Sequence, residues 1–142
     1  MVMNEWMNDG GEKVTKVFLG AYALVSNGQL ISRAGTALVA MMGSSLNIPV
    51  LVCCESYKFA DRARLDSICF NELGNPDALL SDSDDSPNLL SWRHNKNLKL
   101  VNLSYDLTPM DFITGVISEF GLIPPTSVPV ILNEFLEISA SN

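Results

Sequence analysis

Four residues carry the groups best suited to binding a small anion. Asn27 and Gly28 form a turn that is predicted between a strand and a helix, where free backbone amides and the helix dipole favour phosphate. Arg33 lies near the predicted helix start. Asp106 is predicted at the carboxyl end of a later strand, where open α/β sheets gather their ligand sites. The sequence therefore predicts a candidate pocket for a phosphate-bearing ligand.

Each of these residues also has a structural alternative. The Asn-Gly turn lacks the six-residue dinucleotide fingerprint and the Lys-Ser/Thr pair of a nucleotide-binding loop, so a simple tight turn is favoured. Arg33 can pair with an acid at a subunit contact or remain solvated. Asp106 precedes Thr108 by two residues, and a capping or turn role is the favoured alternative.

Other residues with reactive side chains do not form a catalytic or metal-binding pattern. Cys53 and Cys54 are adjacent in a predicted strand, so they point to opposite faces and fit small buried apolar residues. His94 is the single histidine, which leaves no zinc-ligand spacing, and no serine or cysteine occupies a recognisable nucleophile position beside it. We predict no catalytic residue, no metal and no cofactor.

The elements that would position these residues form a strand, helix and strand between residues 16 and 55. Residues 17–21 and 49–54 are apolar without alternation, which is typical of parallel strands covered on both faces, and residues 31–46 predict the connecting helix. The predicted fold class is α/β, a Rossmann-like parallel sheet with helices on both faces.

The remaining pattern predicts three further elements. These are a strand over residues 98–105, a helix that is capped by Thr108 and stopped by Gly121, and a last strand over residues 128–132. We predict a loose lead-in at 1–13, one domain at 14–135 with a surface loop at 74–91, and a tail at 136–142.

Charge and hydropathy exclude two classes of partner. The net charge is −7, from 16 acidic and 9 basic side chains, and the basic residues are scattered, so direct nucleic-acid binding is not expected. The apolar runs are shorter than the ~18–20 residues that span a bilayer, so we predict no membrane span and no signal peptide. Three cysteines without a disulfide framework fit a reducing compartment.

Several segments closely resemble the C-terminal domain of the delta-type regulatory subunits of eukaryotic translation initiation factor 2B. The resemblance covers about residues 14–134. The matching segments are Gly20-Ala21, Asn27-Gly28 with residues 32–36, and residues 49–59, 71–73, 102–109 and 121–130.

The resemblance implies a regulatory, non-catalytic subunit of the guanine-nucleotide exchange factor for initiation factor 2, acting in the cytoplasm. The implied partners are the beta-type and alpha-type regulatory subunits and initiation factor 2 itself. In this interpretation Tyr57, Lys58, Phe59 and Val101 lie toward subunit interfaces, with Phe59 as an aromatic anchor. Core packing of Phe59 is an equally supported alternative.

The same superfamily includes methylthioribose-1-phosphate and ribose-1,5-bisphosphate isomerases, which place an acid-base aspartate directly after Gly-Ala. That position is Tyr22 here, and a phenol with a pKa near ~10 cannot replace a carboxylate that transfers protons near neutral pH. The isomerases' catalytic cysteine also lies upstream of the segment that this chain matches. We therefore predict that the chain is not an enzyme.

Two alternatives remain open. One is an isomerase-like or sugar-phosphate-binding protein that uses Asn27, Gly28, Arg33 and Asp106. The other is a non-functional truncated gene copy, because the resemblance covers only the trailing part of a Rossmann domain. Loss of the neighbouring strands would leave an open sheet edge and exposed apolar faces.

Overall fold

The computed structural model describes residues 13–61, 71–80 and 91–140, with side chains described up to residue 134. Two helices and eight strands make up the regular structure of these residues. The strands are β1 (Val17–Gly20), β2 (Ala23–Val25), β3 (Leu30–Arg33), β4 (Val50–Cys53), β5 (Phe59–Ala60), β6 (Tyr105–Thr108), β7 (Gly115–Ser118) and β8 (Gly121–Ile123). The helices are α1 (Thr36–Ser45) and α2 (Val128–Ala140).

The first sheet has the strand order β1-β4-β7-β8. β1, β4 and β7 are parallel, with Val17 opposite Val50 and Val52 opposite Val116. β8 returns antiparallel to β7 through the two-residue turn at 119–120. The central strands carry Val, Leu and Ile, whose side chains fit a buried pleated surface.

The second sheet has the order β5-β2-β3-β6. β2 and β3 form an antiparallel hairpin, and β5 pairs parallel with β2. The hairpin turn is closed by the amide of Gly28, which donates to the carbonyl of Val25 at 2.8 Å. Gly28 has φ 77°, a left-handed conformation that a residue without Cβ adopts at little cost.

The main core lies on one side of the first sheet. Leu24 and Leu30 of the hairpin, Val52 and Val116 of the first sheet and Val128 of α2 are fully buried in one cluster. A second cluster joins Val17, Ile48 and Val50 to Ala40 of α1. Val17, Val50, Val52 and Val116 all point to the same side of the sheet, so both helices pack on that side. Among the described residues, neither helix combines the length and the apolar character that a membrane crossing requires.

The α/β class and the parallel sheet are confirmed, and so is the connection from β1 through α1 to β4. The predicted helix at 31–46 begins too early, because residues 31–33 belong to β3 and pair with β2 and β6. Asn27 and Gly28 therefore turn between two strands rather than between a strand and a helix. The helix begins only after Gly35, whose φ of 100° changes the chain direction.

Three predictions for the second half of the chain are wrong. Residues 98–104 form no strand beyond the isolated bridge between Leu73 and Leu103, and the regular strand is β6. The predicted helix after Thr108 is a single 3₁₀ turn (Met110–Phe112) followed by β7 and β8, and the Thr108 hydroxyl is buried without a hydrogen-bond partner among the described residues. The predicted strand at 128–132 is the first part of α2.

Candidate functional site

A cleft opens at the carboxyl ends of the three parallel strands, where open α/β sheets place their ligand sites. Its volume is about 530 Å³. Each parallel strand contributes its last residue and those that follow, and the 3₁₀ turn after β4 closes one side. The lining residues are Gly20, Ala21, Cys53, Cys54, Glu55, Tyr57, Lys58, Ile117, Ser118 and Glu119.

Glu119 joins two walls of this cleft. It lies in the β7–β8 turn, and its carboxylate accepts hydrogen bonds from the backbone amide of Ser56, at 3.1 Å to each oxygen, and from the Ser56 hydroxyl. The hydroxyl hydrogen bond from Ser56 lowers the pKa of Glu119 below its ordinary value. The carboxylate therefore stays ionised and is held in place as a cap on the 3₁₀ turn (Ser56–Lys58).

Glu55 and Lys58 form an ion pair beside the cleft, with 2.8 Å between the Lys58 Nζ and a Glu55 oxygen. The hydrogen bond between them lowers the pKa of Glu55 and raises the pKa of Lys58. Both groups remain charged near neutral pH. The Lys58 ammonium also lies 5.6 Å from the centre of the Tyr57 ring, which is attractive for a cation over an aromatic face.

Cys54 is the one cleft cysteine that is buried, and Cys53 beside it is exposed. Burial raises the pKa of the Cys54 thiol to about 11, although Lys58 nearby opposes the shift. A thiol with that pKa holds almost no nucleophilic thiolate at neutral pH. Among the described residues, no group of three or more His, Cys, Asp or Glu side chains is placed to hold a metal ion.

We expect a thiol reagent at pH 8 to modify Cys53 at least ten times faster than Cys54. The measurement compares a chain with only Cys54 (C53S/C69S) with a chain with only Cys53 (C54A/C69S) by mass spectrometry over time. Equal rates for the two single-cysteine chains at pH 8 would contradict the buried, protonated thiol.

The raised pKa of Cys54 in the folded state also links stability to pH. The contribution of the protonated Cys54 thiol to the free energy of unfolding is complete below pH ~9 and is lost as the pH rises through about 11.

The structure does not bring the four predicted anion-binding residues together. Asn27 and Gly28 lie at the hairpin turn before β3, and Arg33 is the last residue of that strand, so about 16 Å of extended chain separates Gly28 from Arg33. Asp106 lies in β6 opposite Ser32, and the preceding residue, Tyr105, lies opposite Arg33. The Asn27 side chain is engaged within the turn by Gln29.

Asp106 caps α1 from a neighbouring strand. One of its oxygens accepts hydrogen bonds from the amides of Gly35, at 2.7 Å, and Ala37, at 2.9 Å. Those amides lie at the start of α1, and the first amides of a helix have no hydrogen-bonding partner within it. The capping alternative is therefore the role that the structure shows, although the capped helix is α1 rather than one that follows Asp106.

Asp106→Ala should destabilise the protein by about 1 kcal/mol, because it leaves the first-turn amides of α1 without their acceptor. Asp106→Asn keeps an acceptor oxygen and should cost less than half as much. Urea unfolding followed by circular dichroism would measure both. An alanine variant as stable as the parent chain would show that water or another group replaces the cap.

Arg33 belongs to a small exposed cluster with two tyrosines. Its guanidinium carbon lies 5.0 Å from the centre of the Tyr105 ring, and the Tyr22 and Tyr105 rings are 4.8 Å apart at 50°. Tyr22 is 59% exposed. A cation beside two aromatic rings is suited to contacting a binding partner and not to transferring protons.

The predicted interface residues occupy different environments. Tyr57 and Val101 are well exposed, at 77% and 57%, and Lys58 is engaged by Glu55. Phe59 is only 8% exposed and belongs to the main core, which is the packing alternative. Its burial anchors the Tyr57-Lys58 turn against the hairpin through the pairing of β5 with β2.

Comparison with known protein families places this site in context. A family model described as the initiation factor 2 subunit family matches residues 2–125. The chain belongs to this family.

Two relatives in the initiation factor 2 subunit family carry the name translation initiation factor eIF2B subunit delta. The Dictyostelium discoideum protein is 56% identical over 128 residues, which cover 87% of this chain and 21% of that protein. The Schizosaccharomyces pombe protein is 49% identical over 134 residues, covering 91% of this chain and 29% of that protein. The chain thus spans between a fifth and a third of these relatives, and the predicted resemblance to delta subunits is confirmed.

A further relative is an enzyme by name. The ribose 1,5-bisphosphate isomerase of Pyrococcus furiosus is 32% identical over 119 residues, which cover 84% of this chain and 35% of the isomerase. The similarity to delta subunits is therefore much closer than the similarity to this isomerase.

Solved structures agree on the fold. The delta subunit of translation initiation factor eIF-2B from A. fulgidus matches with a TM-score of 0.67 and 26% identity, over 93% of this chain and 36% of its own. The tetrameric eIF2B-beta2-delta2 complex from C. thermophilum matches with a TM-score of 0.52 and 31% identity, over 71% of this chain and 27% of its own.

Two residues that shape the cleft of this family member were not predicted from the sequence. Ser56 and Glu119 link the β4 and β7 ends, yet Glu119 was placed on a predicted helix, away from the strand ends. The turn signal that identifies its position is the polar Ser118-Glu119 pair before Gly121, whose φ is 95°.

Proposed function

We propose that the chain is a non-catalytic, subunit-contacting module of the guanine-nucleotide exchange factor for translation initiation factor 2. The observation that carries the proposal is the exposed apolar side of α1. This helix has no charged residue, and its outer side exposes Leu38, Val39 and Met41 at 65%, 41% and 46%. A helix that is apolar on all sides is normally buried, so a second protein surface is needed to cover it.

The cleft supports the non-catalytic part of the proposal. Its carboxylates are engaged by Ser56 and Lys58, and its buried thiol is protonated. Tyr22 follows the end of β1, where isomerase relatives are expected to hold an aspartate. The isomerase chemistry uses a carboxylate for proton transfer, and this position carries a phenol instead.

The partners follow from the family. The proposed partners are beta-type and alpha-type subunits and, through the assembled factor, initiation factor 2 in the cytoplasm. Tyr57, Lys58 and Val101 would add contacts away from α1, while Phe59 would hold the Tyr57 turn in place from inside the core.

Light scattering after size-exclusion chromatography, with and without a beta-type subunit, tests this proposal. A complex should form with the parent chain and should be lost in Leu38→Glu/Met41→Glu, because two charges would be buried in an apolar contact. Val130→Glu is the control, since it places one such charge at an exposed valine of α2, away from α1. A parent chain that stays monomeric beside every partner subunit would overturn the proposal.

Sugar-phosphate binding is the second candidate function. The position of Lys58 at the cleft is the observation that favours it. Its ammonium lies at the cleft and its raised pKa keeps it positively charged. Calorimetry with ribose 1,5-bisphosphate would show heat that Lys58→Met removes. Absence of heat at millimolar ligand would exclude this candidate without affecting the subunit-contact proposal.

A further inference from the structure

The 3₁₀ turn that follows β4 (Ser56–Lys58) carries Tyr57, the most exposed aromatic side chain among the described residues. Two backbone hydrogen bonds close the turn, from the amide of Lys58 to the carbonyl of Glu55 at 3.0 Å and from the amide of Phe59 to the carbonyl of Ser56. Hydrogen-bond geometry is poorer in a 3₁₀ turn than in an α-helix, so contacts outside the turn decide how firmly it is held.

Both ends of this turn are fixed in the fold. Before it, the amide of Cys54 donates to the carbonyl of Ile117 at 3.0 Å and so extends the pairing of β4 with β7. After it, Phe59 is buried in the main core and lies opposite Leu24 of β2. None of the three described residues of the turn is itself buried. Core packing therefore fixes where the turn begins and ends but does not hold the turn itself.

Glu119 supplies an attachment for the turn itself. It lies 63 residues after Ser56, in the short connection between β7 and β8. The backbone amide of Ser56 donates to both carboxylate oxygens of Glu119 at 3.1 Å, and the Ser56 hydroxyl donates to one of them. Because β7 pairs with β4 in the centre of the first sheet, the carboxylate ties the turn to the most rigid part of the fold.

A carboxylate beside a cleft can instead act in proton transfer, and the geometry of Glu119 argues against that role. The hydrogen bond from the Ser56 hydroxyl lowers the pKa of Glu119, so the group carries no proton to donate near neutral pH. Both oxygens are also directed at Ser56. The arrangement suits holding the turn in place.

The direction of the Tyr57 ring depends on the backbone of this turn. The ring is 77% exposed, and the Lys58 ammonium that lies 5.6 Å from its centre is itself held by Glu55. Tyrosine has only two side-chain torsions, so a fixed backbone leaves the ring few orientations. Ordering a side chain before association reduces the entropy that binding costs.

We propose that Glu119 is a positioning residue of the subunit contact, which holds the Ser56–Lys58 turn so that Tyr57 is ordered for binding a beta-type subunit. The inference rests on the proposed function and adds to it a residue that acts through Tyr57. It also makes the β7–β8 connection part of the structure that presents this contact.

Calorimetric titration of the chain with a beta-type subunit tests the proposal through the dissociation constant. Tyr57→Ala should raise the Kd about tenfold, as expected for an exposed aromatic contact. Glu119→Ala should raise it about fivefold, because the turn must then be ordered during binding. Glu119→Gln keeps a carbonyl oxygen that can accept from Ser56, so its Kd should stay within about twofold of the parent value.

Two comparisons separate positioning from a general loss of structure. In a Tyr57→Ala background, Glu119→Ala should change the Kd by less than about twofold, because no ring remains to be positioned. Glu134→Ala is the matched control, since it removes the same charge from an exposed residue of α2 and should leave the Kd unchanged. If Glu119→Ala fails to fold, as judged by circular dichroism, Ser56→Ala removes the hydroxyl donor instead and should raise the Kd about twofold.

Amide hydrogen exchange of the free chain reports on the turn without a partner. The Ser56 amide should exchange about tenfold faster in Glu119→Ala and at the parent rate in Glu134→Ala. Unchanged exchange in Glu119→Ala would overturn the proposal, as would a parent-like Kd for that variant or an equal loss of affinity with and without Tyr57. In those cases the parent complex still forms and the proposed function stands. A parent chain that binds no beta-type subunit overturns the proposed function, and this inference with it.

Discussion

Leu24→Ala is expected to destabilise the protein by about 3 kcal/mol, the largest effect that we expect of a single core truncation. Leu24 is fully buried between the two sheets and packs in the cluster that holds Leu30, Val52 and Val128. Removing a buried leucine side chain loses its transfer free energy and leaves a cavity, a combined cost of about 2–5 kcal/mol. For a domain with a total stability of about 5–15 kcal/mol, this is a large fraction.

The matched control is Leu73→Ala, the same chemical change at a side chain that is 73% exposed. It should change the free energy of unfolding by less than about 0.5 kcal/mol. Urea unfolding of both variants, with the slope of the transition compared between them, separates lost stability from a change in the denatured state. Similar midpoints for the two variants would mean that the two sheets do not share one core.

The sequence predicted the β1, α1 and β4 unit because its signals agree with one another. Apolar runs at 17–20 and 50–53 lack alternation, the helix between them carries small residues, and Pro49 ends the connection. β1 and β4 then pair in parallel, as a crossover connection requires. Tertiary structure adds what the local pattern cannot show, namely that residues 31–33 pair with β6, more than 70 residues away in the chain.

The second half was misassigned because two periodicities compete there. Ile113, Val116, Ile117 and Phe120 have helical spacing, yet three of the four are β-branched and pack well in a pleated sheet. Pairing with β4 makes this segment a strand, β7, and not a helix. Residues 128–132 show the opposite error, since a β-branched run forms the start of α2 because Val128 and Leu132, one helical turn apart, both reach the core.

The candidate site was predictable only in part. Asp106 was expected at the carboxyl end of a strand but is the second residue of β6, although Arg33 and Asp106 do lie on adjacent strands. Asn27 and Gly28 were predicted to share a binding site with Arg33 and Asp106 because the turn was expected to precede a helix. The contact between Glu119 and Ser56 depends on how the β7–β8 turn meets the end of β4, which no local spacing encodes.

Gly43→Ala should destabilise the protein by about 2 kcal/mol, although alanine is the better helix former. A Cβ at position 43 would lie 2.8 Å from a methyl of Val50 and 3.5 Å from a methyl of Val17. Val50 is fully buried and its β-branched side chain cannot easily change rotamer. Overpacking of this kind costs about 1–3 kcal/mol, which outweighs a helix-propensity gain of at most about 1 kcal/mol.

A double-mutant cycle separates that clash from any other effect of the new methyl group. Val50→Ala removes the obstructing methyl, so Gly43→Ala should be neutral or stabilising in that background, with a coupling energy on the order of 2 kcal/mol. Gly74→Ala is a useful comparison, because its Cβ would meet the side-chain amide of the half-buried Asn102, which can give way only by losing its hydrogen bond to the Asn75 carbonyl. If Gly43→Ala costs the same with and without Val50, the close approach of α1 to β4 does not set the helix position. If the cost disappears with the Val50 methyl, the glycine is required because it lets α1 lie directly on the parallel sheet.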